Sequence, residues 1–201
     1  MTFPIVEIFS SIQGEGTNLG RPANFIRFAG CNLNCEWCDT EWRKASEHLD
    51  IATILRRLDP EARLVVLTGG EPTIQKNLIE LVDALMEADF AVAMETNGTN
   101  STRALYSRGV HISCSPKPAT MWCIHDECEY DELKYVVDDL FSAAFMEAKL
   151  PALTSVWLQP EGGNMQEAWK KALRIQKEYH KMHPDADVRI GVQLHKIMEV
   201  R

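Results

Sequence analysis

The chain has 201 residues, 45% of them hydrophobic and 25% charged, which is enough apolar material for one domain with a real core. Its formal net charge of -8 excludes a nonspecific grip on nucleic-acid backbones, which needs clustered Lys and Arg. No apolar run reaches the ~20 residues of a membrane span and no basic-then-apolar leader is visible, so a single cytoplasmic domain over residues 1–201 is expected, with no membrane partner.

Residues 3–12 mix apolar and small side chains and predict a first strand. Gln13-Gly14-Glu15-Gly16 follows as a glycine-flanked turn. It reads either as a hairpin loop with a solvated carboxylate or as backbone that approaches a planar ligand while Glu15 accepts its N–H groups. Turn chemistry alone leaves both open. Residues 24–29 predict a second strand, and Arg27 lies on it among Phe25, Ile26 and Phe28. A surface arginine packing its stem is one reading; a planar fork for a substrate carboxylate, four residues before Cys31, is the other and is preferred.

The loop after this strand carries Cys31, Cys35 and Cys38 in a C-x3-C-x2-C spacing. Six cysteines could form three disulfides, but a chain with this apolar content needs no staples, and clustering of three thiols favours a metal. Structural zinc normally collects four ligands, whereas three cysteines on an iron–sulfur cubane leave one iron open. Gly30, Asn32 and Asn34 tolerate the tight backbone such a loop requires.

Beyond the loop, residues 49–58 have helical spacing with Asp50 as cap, and residues 64–67 read as a buried parallel strand. Thr68-Gly69-Gly70-Glu71-Pro72 closes that strand with glycines suited to backbone lying against a ligand. Then come a helix at 77–88, a strand at 90–94 ending in Glu95-Thr96-Asn97-Gly98, and a strand at 110–114 ending in Ser115-Pro116-Lys117. A strand at 133–137, a helix at 140–149, and a strand at 155–158 ending in Gln159-Pro160 follow. A helix at 165–182 and a final strand at 188–194 complete the pattern; on that strand Gln193 and His195 would share one face. The alternation predicts an α/β fold, a partial, open TIM-like barrel of about six parallel strands with outer helices. Each polar motif falls at a strand's C-terminal end, where parallel sheets bind ligands. An open barrel leaves a flank uncovered, and a homodimer is expected to cover it. Cys123, His125 and Cys128, with Cys114, could hold a second metal, but their spacing matches no defensible motif, and buried or idle thiols are the simpler reading.

Trp37 just before the third cysteine, with Arg21-Pro22-Ala23-Asn24-Phe25-Ile26-Arg27, Cys38-Asp39-Thr40, Thr68-Gly69-Gly70-Glu71-Pro72 and Gln193-Leu194-His195-Lys196, resembles the radical S-adenosylmethionine (SAM) enzymes, in particular the branch that builds 7-deazapurines. The resemblance covers essentially the whole chain. It implies a [4Fe–4S] cluster on Cys31, Cys35 and Cys38. It also implies SAM contacts from Trp37, Gly69, Gly70, Glu71, Thr96, Ser115, Lys117 and Gln159. The small-molecule pterin substrate would meet Gln13, Gly14, Glu15, Arg27, Gln193 and His195. Thr40 would hold Mg2+, against the local alternative that Thr40 and Asp39 only cap the loop. The implied reaction is a radical carbon–nitrogen lysis: a carboxytetrahydropterin contracts to a carboxylated 7-deazapurine with loss of ammonia, electrons coming from a donor such as flavodoxin or ferredoxin. Two competing readings share parts of the pattern: an activase that abstracts hydrogen from a partner protein's glycine, and a zinc-binding interaction module, for which His48 is the one nearby fourth ligand.

Overall fold

The computed structural model describes residues 1–36, 38, 40–146, 154–161 and 165–201. Its strands form one sheet: β1 (Phe3–Ile12), β2 (Pro22–Phe28), β3 (Glu47–Leu49), β4 (Leu64–Gly69), β5 (Ala91–Thr96), β6 (His111–Cys114), β7 (Glu132–Val137), β8 (Ser155–Pro160) and β9 (Asp187–Ile190). The order across the sheet is β3-β1-β2-β4-β5-β6-β7-β8-β9. From β2 onward every neighbouring pair is parallel, which makes seven parallel strands where about six were expected. β1 and β3 add an antiparallel edge. The short 13–21 connection can only return β2 antiparallel to β1, whereas each later parallel pair needs a longer crossover. Among the described residues β9 does not pair back onto β3, so the barrel is open.

Alternation along the strands divides the barrel into two sides. Ile26, Phe28, Val65, Leu67, Val92 and Met94 face outward into a core with α1 (Ile51–Arg57) and α2 (Leu78–Glu87). The side chain of Asp50 accepts from the Thr53 N–H at 2.8 Å and starts α1 as the capping pattern predicts. Leu133, Tyr135, Val137, Val156 and Leu158 pack under α4 (Met165–Met182) in a second core. The inward positions at the N-terminal end of β2, β4 and β5, namely Ala23, Phe25, Leu64, Val66 and Ala93, form a small apolar plug with Phe9. Farther along the same strands the inward residues turn polar: Arg27 pairs in register with Thr68, and Glu95 with Ser113.

Two segments depart from the expectations. The helix expected at 140–149 is, among the described residues, one 3-10 turn at Ala143–Phe145; residues 147–149 lie outside them. Asp138 Oδ1 accepts from the Leu140 and Phe141 N–H groups at 2.9 and 2.8 Å, which favours a turn, and the apolar residues go into a ring cluster of Trp122, Phe141 and Phe145. The last strand stops at Ile190, and Leu194–Ile197 is a short helix, α5. Gly191 donates to the Leu158 carbonyl at 2.8 Å, then Leu194 donates to the Gly14 carbonyl at 2.9 Å. The chain thus leaves the sheet edge to meet the β1–β2 loop, so Gln193 and His195 do not share a strand face. β3 and the short helix α3 (Arg103–Tyr106) were not foreseen; both are too brief for a periodic signal.

Candidate active site

A cavity of about 950 Å³ opens at the C-terminal ends of the parallel strands. The Cys31, Cys35 and Cys38 thiols line it together with Gly69, Gly70 and Glu71. These two loops are locked together by backbone. Gly70 N–H donates to the Phe28 carbonyl at 3.0 Å and Glu71 N–H to the Gly30 carbonyl at 2.9 Å, while Gln75 Nε2 donates to the Ala29 carbonyl at 2.9 Å. A Cβ on Gly70 would stand 1.7 Å from the Gly30 oxygen, so only glycine allows this approach. Farther along, Asn97 Nδ2 donates to Asn32 Oδ1 at 2.9 Å, and Asn32 Nδ2 donates to Thr99 Oγ1 at 2.7 Å, tying the thiol loop to the end of β5.

Glu71 is 1% exposed, and its carboxylate serves the protein itself. Oε1 accepts from Thr73 N–H, Thr73 Oγ1 and Thr96 Oγ1 at 3.1, 2.7 and 2.7 Å, and Oε2 accepts from Asn97 N–H at 2.7 Å. It couples the β4 and β5 loops, leaving little capacity for a further donor.

Burial pushes the Cys31 and Cys35 thiols up, and the other thiols of the loop add to the shift, against the pull of the Lys117 ammonium. Among the described residues no three His, Cys, Asp or Glu groups converge as one metal ion requires. Zinc needs its ligands around a single point, whereas a cubane spreads three thiolates over three irons. Three thiols from one short loop lining one cavity fit the cubane.

A second network surrounds the rest of the cavity. Glu15 accepts from Lys134 Nζ and, at 2.7 Å, from Gln193 Nε2. Glu95 accepts from Gln13 Nε2 at 3.3 Å and Thr68 Oγ1 at 2.8 Å, with Lys134 Nζ 3.9 Å away. Burial alone would raise the Glu15 carboxyl, but the Lys134 charge and the bonds from Lys134 and Gln193 outweigh it and hold it low. Lys134 is lowered by burial and raised more by Glu15 and Glu95, so it stays charged. Lys117, lowered by burial and by Lys134, donates to Ser115 Oγ at 2.6 Å.

The β1–β2 loop that carries Glu15 is itself anchored. Glu132 Oε2 accepts from Thr17 N–H and Oγ1 at 2.7 and 2.6 Å. Gly14 packs on His195, where a Cβ would meet Nδ1 at 2.0 Å; its openness accommodates a side chain of the protein rather than bare cavity. Arg27 Nε donates to Glu7 Oε1 at 2.8 Å and one Nη reaches Thr40 Oγ1 at 3.5 Å, leaving three of its N–H donors without a partner among the described residues. Arg201 joins Glu7 from the other side, over the Phe9 ring.

All the residues expected to meet cluster, SAM, Mg2+ or substrate line this one cavity, apart from Trp37, which lies outside the described residues. Sequence reasoning missed Lys134 and Glu95. The available signals were a lysine between the buried Leu133 and Tyr135 of a β-strand, and a carboxylate two residues beyond the buried Ala93. Of the other thiols, Cys114 and Cys128 are a buried pair with sulfurs 3.9 Å apart, whereas Cys123 and His125 are exposed, so no second metal site is assembled.

The radical SAM superfamily pattern matches residues 25–112. The 7-carboxy-7-deazaguanine synthase of Aquifex aeolicus is 36% identical, across 97% of this chain and 93% of its own length. The chain belongs to the 7-carboxy-7-deazaguanine synthase family. The family's member from Bacteroides thetaiotaomicron is also 36% identical, covering 98% of both chains. The solved structure of QueE from Escherichia coli superposes with a TM-score of 0.70 at 26% identity, over 97% of this chain and 95% of that one. A member of this family is a radical SAM lyase, and the family implies SAM and a [4Fe–4S] cluster. The activase and zinc-module readings are thereby set aside. No described helix is long and apolar enough to cross a membrane.

Proposed function

We propose that this chain converts 6-carboxy-5,6,7,8-tetrahydropterin to 7-carboxy-7-deazaguanine with loss of ammonia. One observation carries the reading: the three-thiol loop and a charge pattern suited to such a substrate open into the same cavity of about 950 Å³. The substrate has a carboxylate at one end and an N–H-rich 2-aminopyrimidinone edge at the other. The open donors of Arg27 suit the first, and the carboxylate of Glu15, flanked by Gln13 and Gln193, suits the second. Gly14 and His195 would close the wall beside the heterocycle.

Cys31, Cys35 and Cys38 would hold the cluster, which with SAM bound would supply the radical chemistry needed for hydrogen abstraction at the carbon bearing the carboxylate. The chain's task is placement and exclusion of water. Backbone carbonyls of Gly69 and Gly70 would receive the methionine ammonium, with Glu71 stiffening that loop. Thr96, Ser115, Lys117 and Gln159 would meet the ribose and carboxylate, and Trp37 the neighbouring part of the cofactor. Thr40 would offer its hydroxyl to Mg2+. Substrate and water oxygens would complete the shell, as Mg2+ commonly keeps them. The Arg27 guanidinium 3.5 Å from that hydroxyl makes a bridging substrate carboxylate necessary for a cation to sit so close. A small acidic protein such as flavodoxin or ferredoxin would deliver the electron to a single-domain, cytoplasmic homodimer.

The test is anaerobic reconstitution with iron and sulfide, then SAM, reductant, Mg2+ and the carboxypterin, with product and 5′-deoxyadenosine followed by mass. Stoichiometric formation of the deazaguanine carboxylate is expected. SAM cleavage with the pterin left intact would overturn the substrate assignment.

A further inference from the structure

Lys134 sits on the inward face of β7, with 11% of its side chain exposed, between two carboxylates that come from different parts of the chain. Its ammonium bonds Glu15, 119 residues away, and lies 3.9 Å from Glu95 Oε1. Gln13 joins the same two acids: its Nε2 donates to Glu95, and its Oε1 accepts from the Glu15 N–H at 3.2 Å. The Glu15 and Glu95 side chains are 13% and 27% exposed, and all three charged groups line the cavity.

We infer that Lys134 is a positioning residue that holds Glu15 and Glu95 as a fixed pair of acceptor-only carboxylates, and so selects a heterocycle edge made of N–H donors. The inference deepens the proposed function and rests on it for the substrate class.

Burial pushes the Glu15 carboxyl toward protonation, and the Lys134 cation beside it is what offsets that push. A protonated acid would present a donor where the ligand also presents one, and the match would be lost. Four hydrogen bonds occupy the two carboxylates: Lys134 and Gln193 on Glu15, Gln13 and Thr68 on Glu95. Each uses a different oxygen, so among the described residues every oxygen keeps one lone pair. Lys117 on the loop after β6, His195 on α5 and Glu132 on β7 also act electrostatically on this group.

The test is Lys134→Met, close in length and without charge. Expected are an increase of about 10- to 100-fold in KM for the carboxypterin, the range for a hydrogen bond to a buried charge, and a kcat changed by less than about threefold. Equilibrium binding of fluorescent 6-carboxypterin, without reductant, should weaken in parallel, while SAM affinity stays the same. A 2-oxo analogue, in which the exocyclic donor becomes an acceptor, should be rejected by the wild type and far less so by the variant. In the double variant with Glu15→Gln, the combined penalty should be at least about fivefold smaller than the product of the single ones. A product that multiplies in full, or unchanged edge discrimination in Lys134→Met, overturns the inference. If Lys134→Met does not fold, Lys134→Gln runs the same cycle. Wild-type protein that binds and turns over no carboxypterin sinks the substrate assignment instead.

Discussion

Replacing Glu132 by glutamine keeps its shape and removes its charge, and the surroundings leave it nowhere else to go. The residue is 3% exposed, and a Cβ placed on Gly16 would lie 2.3 Å from its Oε1. Burial by itself would raise the Glu132 carboxyl; His111 and the two bonds from Thr17 reverse this and bring it from 4.5 to about 2. His111, with Nε2 3.8 Å away, leads the lowering, and the Thr17 bonds at 2.6 and 2.7 Å add to it. A drop of that size corresponds to about 3 kcal/mol at ~1.4 kcal/mol per pKa unit. Part of it is lent by a half-exposed histidine, so Glu132→Gln should cost about 2–3 kcal/mol at neutral pH.

The sign of the pH effect is opposite for the two partners. Glu132 is depressed in the folded chain, so its contribution is complete above pH 4.5 and is lost as pH falls toward about 2. His111 is raised, by Glu132 first, so its share is complete below pH 6.5 and fades as pH rises through the folded value. The gap between wild type and variant is therefore widest between about pH 4.5 and 6.5. Urea denaturation of both proteins from pH 3 to 8, followed by tryptophan fluorescence under reducing, oxygen-free conditions, measures it. Curves that run parallel from pH 6 down to 3 would refute the reasoning, because other acids titrate in both proteins and only Glu132 differs.

Gly70→Ala must part the two loops whose backbones meet at Gly30; it should cost about 1–3 kcal/mol and lower the iron retained after reconstitution, with full iron content as the contrary result. Arg27→Lys loses the planar fork and the Glu7 bond, so KM for the carboxypterin should rise about tenfold while uncoupled SAM cleavage is unaffected; an unchanged KM removes Arg27 from the substrate site. Thr40→Ala should lose stimulation by Mg2+ and keep SAM cleavage, and stimulation at the wild-type level would dismiss the metal role.

Much of this architecture could be read from local patterns. Runs such as Leu64 to Leu67, closed by Thr68-Gly69-Gly70, have few alternatives to a buried strand, and Asp50 before Ile51 is a cap wherever that helix lies. The segment at 140–149 misled because its apolar spacing suits a helix face and an aromatic cluster equally; a competing turn on Asp138 and the position of Trp122 chose the cluster. The tail misled because Val192 and Leu194 alternate like a strand, yet among the described residues the ladder with β8 ends at Ile190, and the Gly14 carbonyl takes the Leu194 N–H instead.

The order of residues was sufficient for the three-thiol loop, the strand–helix rhythm and the end of the barrel where ligands bind, since each depends on spacings of a few residues. It could not pair Glu15 with Lys134 or with Gln193, which lie 119 and 178 residues apart. Those partners meet only when strand register and the return of the last segment bring them to one cavity. Charge is a long-range property of the folded chain, and a carboxylate's neighbours are set by packing rather than by sequence distance.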